Sequence, residues 1–243
     1  MRDGTMIPLD DEYLVITSDN SGGIGEKEHD IVNVPYDVLT YFAFRVAVME
    51  NIAHGATPLS VVLHNFCGGA KWEELVSGIE RGKREVGMNE LMITGSSETN
   101  MPLLQSALGV VVIGRKQRNE FQEVSLSDGI RFAVIGKPLV GDEVMKEPNA
   151  IAPLNLFQWV SEQEGVRAVL PVGSKGILYE LNELLAEDEV MDEQVMVDLD
   201  VHKSSGPSTC FIVAYYKEVE EQLRERAGGL LHVVEIERGQ ARA

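Results

Sequence analysis

A long amphipathic segment between Pro35 and Gly55 is the feature that most constrains the fold of this chain. Its apolar residues recur at steps of three and four, the spacing that places side chains on one face of an α-helix. Proline suits the start of such a helix and glycine suits its end. Short apolar runs rich in β-branched residues stand on both sides, at residues 13–18 and 59–65. A helix between two strands predicts a fold of the α/β or α+β class.

The same alternation of strand and helix patterns continues along the rest of the chain. The patterns predict strands at residues 90–94, 106–113, 131–135, 209–216 and 231–237, and helices at 71–84, 153–164, 176–187 and 217–226. The polar segment at residues 115–129 is the best candidate for a boundary. We therefore expect two domains, residues 1–120 and residues 121–243.

The charge of the chain excludes several classes of function. Its 243 residues include 39 acidic and 21 basic ones, which gives a formal net charge of -18. A surface this acidic disfavours binding to nucleic acid or to an anionic membrane. The first residues lack the pattern of a signal peptide, and no apolar run is long enough to span a bilayer. The only two cysteines form no paired motif, so we expect a cytoplasmic protein with reduced thiols.

The common catalytic motifs are also missing from the sequence. The five histidines are scattered and none belongs to an HExxH motif, so a zinc hydrolase is disfavoured. There is no GxSxG motif of the α/β-hydrolase type. The glycine-rich segment at residues 22–27 matches neither the Walker A motif nor GxGxxG, because Glu28 follows Lys27 and the third glycine is absent. Any nucleotide chemistry must therefore use another architecture.

The segment from Asp19 to Lys27 is the first of four that combine glycine with carboxylate or amide groups. We predict that it is a loop leaving the first strand. Its glycines would let backbone N–H groups converge on a phosphate. Asp19 could bind Mg²⁺ as an oxygen ligand, and Lys27 could neutralise phosphate charge. A plain glycine-rich turn is the alternative.

Two further segments flank the long helix. Asp30 and Asp37 stand near its start. The carboxylate of Asp37 could equally have no role beyond its favourable interaction with the helix dipole. Glu50 stands near its end, where the dipole disfavours an anion and either Arg45 or a metal ion would compensate. A surface glutamate is the alternative. The fourth segment, residues 94–102, lies between two predicted strands, and an ordinary connecting loop is its alternative.

Together, these segments resemble the N-terminal half of the aminoimidazole ribonucleotide synthetase (PurM-like) superfamily. Asp19–Lys27 stands where that family has a Thr-Asp-Gly-Val-Gly-Thr-Lys segment, and Glu50 stands five residues before a Gly-Ala-x-Pro motif at residues 55–58. Residues 95–102 stand where the family has a Gly-Gly-Asp/Glu-Thr segment. The resemblance covers residues 13–114 and implies a PurM-like ATP-binding first domain with a shortened α/β second domain. A Ser-Ser-Gly-Leu-His-Ser-Asn-Gly type segment of the family is missing from the chain.

The resemblance also implies which residues carry the site. The expected cofactors are ATP and Mg²⁺, and the expected reaction is in-line attack on the γ-phosphoryl group. The resemblance assigns Mg²⁺ to Asp19, Asp37 and Glu50. It assigns phosphate contacts to Lys27 and to the backbone of Gly22, Gly23 and Gly25. It assigns a nucleotide contact to Asn20, and contacts with either the nucleotide or the metal to Glu98 and Asn100. It makes Lys175 a candidate for contacting the substrate or the γ-phosphate.

Within the superfamily, the Ser-Asp-Asn-Ser pattern at residues 18–21 and the Gly-Ser-Ser-Glu-Thr-Asn pattern at 95–100 look most like alpha-ribazole kinase. That resemblance implies phosphorylation of a nucleoside-like hydroxyl, that of alpha-ribazole, in salvage of the lower ligand of cobalamin. It also implies a homodimer formed through the sheets of the first domains. Two alternatives stay open: a related ATP-dependent enzyme that activates an amide or carboxylate oxygen, and a non-catalytic nucleotide-binding maturation partner.

Overall fold

A computed structural model describes residues 4–118, 124–126, 129–185 and 188–237 of the chain. The described residues up to 118 form one compact unit, and those from 124 onwards form a second. Each unit contains a five-stranded sheet with helices packed on it. This arrangement confirms the mixed α/β class predicted from the alternation of strand and helix patterns.

The first unit is built around one mixed sheet. In chain order its elements are β1 (Gly4–Leu9), β2 (Glu12–Gly22), β3 (Ile24–Gly25), β4 (Val32–Asn33), α1 (Tyr36–Ala53), β5 (Thr57–Asn65), α2 (Trp72–Glu85), β6 (Met92–Ser97) and β7 (Ala107–Gln117). The main sheet has the order β1-β2-β7-β5-β6. Neighbouring strands within this sheet run antiparallel, except for β5 and β6, which are parallel. The short strands β3 and β4 form a separate parallel pair.

Helix α1 covers one face of this sheet. Buried Thr17 donates a hydrogen bond from Oγ1 to the carbonyl of Ala47 over 2.7 Å. The Nδ2 atom of Asn51 donates to the carbonyls of Val15 and Val112, each at 3.3 Å. The side chains facing the helix alternate with those facing away, as the pleat of a strand requires. Because Val15 lies opposite Asn51 and Thr17 opposite Ala47, β2 and α1 run in opposite directions.

The second unit repeats the combination of a sheet and helices with another topology. Its elements are β8 (Arg131–Ile135), α3 (Asp142–Lys146), α4 (Leu154–Ser161), β9 (Val166–Pro171), α5 (Ile177–Leu185), β10 (Val195–Met196), β11 (Phe211–Tyr215), α6 (Glu220–Ala227) and β12 (Leu231–Ile236). The sheet order is β10-β12-β8-β11-β9, antiparallel throughout. One face packs its aliphatic side chains around α5, and Phe157 of α4 meets Phe211 edge-on from the other face, with ring centroids 4.9 Å apart.

Some strands are longer in the structure than predicted, and others were not predicted at all. We predicted that the first strand ends at Ser18, but β2 continues to Gly22 because it pairs with β7 over its whole length. The strands β1 and β9 were not predicted from the sequence. Strand β1 contains Pro8, which is tolerated because β1 lies at the edge of the sheet. Among the described residues, no helix combines the length and apolar composition needed to cross a membrane.

Candidate functional site

The ends of several strands of the first sheet meet at one edge. Strand β2 ends at Gly22, β5 at Asn65 and β6 at Ser97, and β7 begins beside them at Ala107. In the sheet register, Ser21 pairs with Leu108, Leu108 with Asn65, and Asn65 with Ser97. The glycine-rich segment and the segment at residues 95–102 therefore lie at the same edge. Sites of α/β proteins commonly form where strands end in this way.

The predicted loop at residues 19–27 is partly strand. Asp19, Asn20 and Gly22 belong to β2, so the chain first leaves the sheet at Gly23, whose φ is +70°. The N–H of Gly23 donates to the carbonyl of Ser106 over 2.8 Å. This donor is therefore already used in the structure, and the predicted contact of the Gly23 backbone with a phosphate stays a prediction.

Gly25 is required by the packing of this turn. Its φ is +150°, a conformation that side chains rarely adopt. A Cβ atom there would lie 2.5 Å from Oγ of Ser106 and 2.8 Å from the ring of Tyr36. Those two side chains also hydrogen-bond to each other, with the hydroxyl oxygens 2.8 Å apart. Gly25 therefore lets the turn sit against the start of α1.

Lys27 holds the two loops of this edge together. Its Nζ donates to the backbone carbonyls of Phe66, Leu103 and Gln105, at 3.0, 3.0 and 3.2 Å. An ammonium group has three hydrogens, so these bonds engage all of its donors. In this structure Lys27 is thus a structural link between loops, which differs from the phosphate contact predicted for it.

Asp30 fixes the other end of the same turn. Its Oδ2 accepts from the N–H of Lys27 over 2.8 Å, and its Oδ1 accepts from the N–H of Ser106 over 2.7 Å. Desolvation raises the pKa of the Asp30 carboxyl, but the hydrogen bonds from Ser106 and Lys27 outweigh it and lower the pKa overall. The carboxylate therefore stays ionised and ties the turn to the start of β7.

Asp19 is the carboxylate with the most unusual environment at this edge. It lies on β2 opposite Val110, on the same face as Thr17, and it is half-buried. Burial raises its pKa from 3.8 to about 6, against the smaller opposite effect of a hydrogen bond from the backbone of Asn20. A group that is costly to ionise would be stabilised by a cation. Asp19 therefore has the chemistry expected of a Mg²⁺ ligand.

The three carboxylates assigned to Mg²⁺ are not gathered into one cluster. Asp37 lies in the first turn of α1, and Glu50 lies in its last part. Asp19 lies on the sheet and faces α1 at a point between these two residues. From the rise of a strand and a helix, Asp19 and Glu50 are on the order of 10 Å apart along the helix axis. In the part of the chain that the structure describes, no three His, Cys, Asp or Glu side chains could together hold a metal ion.

Glu98 closes the loop that follows β6. Its N–H donates to the carbonyl of Asn65 over 2.8 Å. Its Oε1 accepts from the N–H groups of Asn100 and Met101, at 2.6 and 3.0 Å. These bonds, that of Asn100 first, lower the pKa of Glu98. The loop therefore presents an ionised carboxylate and the exposed Asn100 at the edge of the sheet.

A cleft of about 430 Å³ opens beside the glycine-rich turn. It is lined by Gly22, Gly23, Ile31, Leu103, Leu104, Gln105, Ser106 and Ala107. Ile31 and Leu104 are 86% and 72% exposed, which is unusual for large aliphatic side chains. An apolar cleft with a few polar groups suits a planar ring of a small ligand.

Two residues at this edge were not predicted from the sequence. Asn65 is almost fully buried, and its Nδ2 donates to the carbonyl of Gly68 and to Oγ of Ser97, at 2.9 and 2.8 Å. Ser106 is fully buried; its carbonyl accepts from the N–H of Gly23, and its hydroxyl shares a hydrogen bond with the hydroxyl of Tyr36. Their sequence signal was weak, since each is one polar residue at the end of an apolar run.

Lys175 belongs to the second unit. It lies in the turn before α5, where its Nζ is 4.0 Å from the centroid of the Tyr179 ring. This distance is typical of a cation–π contact. The structure therefore places Lys175 on an exposed aromatic side chain, and its predicted contact with substrate or γ-phosphate stays a prediction.

Comparisons of the amino-acid sequence with known proteins found no relative. No protein-family model matches the chain. A search of curated proteins likewise found no match. Sequence similarity therefore does not assign the chain to a family, and the fold carries the comparison.

Comparison with solved structures does find similar proteins. The thiamine monophosphate kinase of Aquifex aeolicus has a TM-score of 0.62 and 12% identity, over 98% of this chain and 90% of that one. AaThiL complexed with AMPPCP and TMP has a TM-score of 0.62 and 12% identity, over 98% and 85%. HypE of E. coli, a hydrogenase maturation protein, has a TM-score of 0.63 and 13% identity, over 93% and 80%. At these identities the similarity establishes the fold, which is the PurM-like fold predicted from the sequence resemblance.

Proposed function

We propose that this chain is an ATP- and Mg²⁺-dependent small-molecule kinase whose acceptor is a nucleoside-like hydroxyl. The observation that carries the proposal is the half-buried Asp19, with its pKa raised to about 6, at the sheet edge that also holds the glycine-rich turn and the apolar cleft. The PurM-like fold supports it, because structural neighbours include a thiamine monophosphate kinase and a complex with AMPPCP.

We assign the metal to Asp19. Protein Mg²⁺ sites often use only one or two carboxylates and complete the octahedron with phosphate oxygens and water. A single partly desolvated carboxylate therefore fits the ion when it arrives with a nucleotide. The ion, when bound, would neutralise charge on the phosphates during transfer. Asp37 and Glu50 stay predictions, since neither lies beside Asp19.

The nucleotide would use the groups that remain accessible at the edge. Asn20 and Asn100 are exposed amides, and Glu98 is an ionised carboxylate held in place by its own loop. The adenine ring would enter the cleft lined by Ile31 and Leu104, whose exposed aliphatic side chains a planar ring would cover. Lys27 would act indirectly, by holding the loops that form the cleft.

The proposed acceptor is the 5′-hydroxyl of alpha-ribazole. The proposal rests on the resemblance of residues 18–21 and 95–100 to alpha-ribazole kinase, and both segments lie at the edge of the sheet just described. The attacking oxygen would approach in line with the leaving oxygen, and positioning would supply most of the rate. Lys175 is the residue that we propose for contact with the acceptor or the γ-phosphate.

The test is direct phosphorylation. The chain is incubated with MgATP and alpha-ribazole, and the phosphate ester is followed by ³¹P NMR and mass spectrometry. We expect ester formation that needs Mg²⁺, and a loss of at least about 100-fold in Asp19→Asn if the metal contact stabilises the transition state. The matched control is Asp11→Asn, the same chemical change at an exposed turn position, which should keep full activity. A folded preparation that forms no ester would refute the proposed acceptor.

The alternatives make different predictions in the same assay. An enzyme that activates an amide or carboxylate oxygen would consume ATP only with a carbonyl acceptor. A maturation partner, as the neighbour HypE is named, would bind ATP tightly without turnover across a metabolite panel. In either case, measuring Mg²⁺-dependent ATP binding by Asp19→Asn tests the metal assignment separately, and unchanged binding would contradict it.

We also propose that two copies pair through the first sheet. The face opposite α1 exposes Ile7, Leu9 and Met92, at 39%, 51% and 68%. Met92 pairs with Ser60, Ser60 with Ile113, and Ile113 with Ile16. These four residues, three of which are apolar, therefore form a row across this face of the sheet. Exposed apolar patches commonly mark interfaces. Sedimentation equilibrium should show a dimer that Met92→Glu weakens, and a monomeric parent chain would refute the proposal.

A further inference from the structure

A second cleft, of about 500 Å³, lies within the second unit, and none of the residues assigned above lines it. Six of its lining residues are Lys137, Lys146, Glu147, Asn149, Gly229 and His232. The cleft forms where β8 ends and β12 begins, since Ile135 pairs with Leu231 in the sheet register. The turn after α3 is tied to this edge by a hydrogen bond of 2.9 Å from the N–H of Lys137 to the carbonyl of Ala150.

His232 is the buried polar group of this cleft. Its side chain is only 9% exposed, and its Nδ1 lies 2.7 Å from Oδ1 of Asp198, which is 75% exposed. A carboxylate can only accept, so Nδ1 carries the hydrogen of this bond. The other ring nitrogen, Nε2, is buried and has no hydrogen-bond partner among the residues that the structure describes. A buried polar atom without a partner carries a free-energy cost that a ligand could remove.

Two lysines surround the same space. Lys137 is exposed and makes no ion pair with any other described residue, so its ammonium group is available. Lys146 faces Asp142 at 3.5 Å, with both side chains about 70% exposed. Such an exposed and long contact contributes little. The lining therefore contains two ammonium groups and one carboxylate, that of Glu147, whereas the whole chain has a net charge of -18.

We propose that this cleft binds the phosphate group of a small phosphate monoester. The ammonium groups of Lys137 and Lys146 would supply charge-assisted hydrogen bonds to its oxygens. Nε2 of His232 would donate to the phosphate when the imidazole is protonated. When it is neutral, Nε2 would accept the hydrogen of a monoprotonated phosphate, whose second pKa is about 6. A simple carboxylate has no such hydrogen at neutral pH, so the site favours phosphate over acetate.

The proposal is independent of the kinase proposal, because its residues belong to the second unit and no step of phosphoryl transfer depends on them. The cleft could hold the phosphate of a substrate or of a regulatory metabolite. Both sources share the phosphate monoester, and the experiment uses that group directly.

The test is titration of the full chain with inorganic phosphate and with glycerol 2-phosphate. Binding is measured by calorimetry and by the chemical shift of the C2 proton of His232 in ¹H NMR. The resonance is identified by its loss in His232→Asn. We expect saturable binding that shifts this resonance, and no comparable shift with acetate. The NMR signal reports on this cleft even if phosphate also binds in the first unit.

Matched variants separate the contact at Nε2 from the contact at Nδ1. His232→Asn keeps a polar atom near the position of Nδ1 and removes the one near Nε2, so the Kd for phosphate should rise about tenfold or more. His232→Gln places an amide near Nε2 and should recover part of the affinity. Lys137→Met and Lys146→Met should each weaken binding several-fold. Lys217→Met makes the same charge change at an exposed position outside the cleft and should leave the Kd unchanged.

Three results would overturn the proposal. The first is the absence of a phosphate-dependent shift of the His232 resonance at millimolar phosphate. The second is an unchanged Kd in both His232→Asn and Lys137→Met. The third is a loss of affinity in Lys217→Met equal to that in Lys137→Met, which would indicate attraction to net charge alone. If His232→Asn does not fold, exposed Lys137 still provides the decisive variant.

Discussion

The substitution Asp19→Asn tests whether the carboxylate of Asp19 is ionised at a cost to the folded chain. Burial raises the pKa of Asp19 from 3.8 to about 6. One pKa unit corresponds to about 1.4 kcal/mol, so the ionised carboxylate lowers the free energy of unfolding by about 2–3 kcal/mol. Asparagine keeps the shape of the side chain without its charge. We therefore expect the variant, without nucleotide, to be more stable than the parent chain at neutral pH.

The pH dependence of this difference follows from the direction of the shift. Above about pH 6 the carboxylate is ionised in both states, and the full penalty is present. As the pH falls from 6 towards 3.8, the folded state takes up the proton first and the penalty disappears. The stability difference between variant and parent should shrink by roughly half between pH 7.5 and pH 5. Both values lie above the pI of ≈ 4.6.

Urea unfolding followed by tryptophan fluorescence measures this difference. The chain has two tryptophans, Trp72 on α2 of the first unit and Trp159 on α4 of the second. A Trp159→Phe background therefore restricts the signal to the unit that contains Asp19. The matched control is Asp37→Asn in the first turn of α1, which should lower stability by about 0.5 kcal/mol through the helix dipole. The reasoning is refuted if Asp19→Asn is no more stable than the parent at pH 7.5.

Three further substitutions test the architecture of the sheet edge, each by urea unfolding in the same background. Lys27→Met removes three hydrogen bonds to backbone carbonyls and should lower the free energy of unfolding by about 1–3 kcal/mol. Amide exchange at residues 103–106 should become faster in this variant. Unchanged exchange would contradict the structural role of Lys27. Asp30→Ala leaves two backbone N–H groups without their acceptor and should cost about 2 kcal/mol at pH 7. Because the pKa of Asp30 is lowered on folding, this cost should be present above pH 3.8 and fade as the pH falls below it. Gly25→Ala should cost about 2–4 kcal/mol, since φ is +150° and the new methyl group would contact Ser106; a neutral effect would show that the turn relaxes.

Local patterns predicted most of the elements. The helix expected between Pro35 and Gly55 is present as Tyr36–Ala53, and the strand expected at residues 131–135 is present with the same bounds. Both are long or strongly apolar, so their own periodicity outweighs their surroundings. The strand β2 was predicted too short because its last four residues look like a turn, and only pairing with β7 keeps them extended.

The acidic run at residues 180–200 shows the limit of a compositional argument. This run contains nine acidic residues and no basic ones, a composition that by itself predicts only a solvated surface. The structure gives some of these residues individual contacts. Asp188 accepts from the N–H of Leu126 over 2.9 Å, and Asp192 and Asp198 contact His202 and His232. Each partner lies ten or more residues away in the chain, so spacing within the run does not reveal it.

The sequence by itself determined the class of the fold, the segments that surround the candidate site and the excess of negative charge. These properties depend on local periodicity, on glycine and proline positions and on composition, all of which can be read along the chain. The tertiary structure decided how each polar group is used. It placed Lys27 on three carbonyls and separated Glu50 from Asp19 along a helix. It also buried Asp19 and His232. The physical reason is that burial and hydrogen bonding depend on which distant segments meet, and those contacts set the charge state and availability of each side chain.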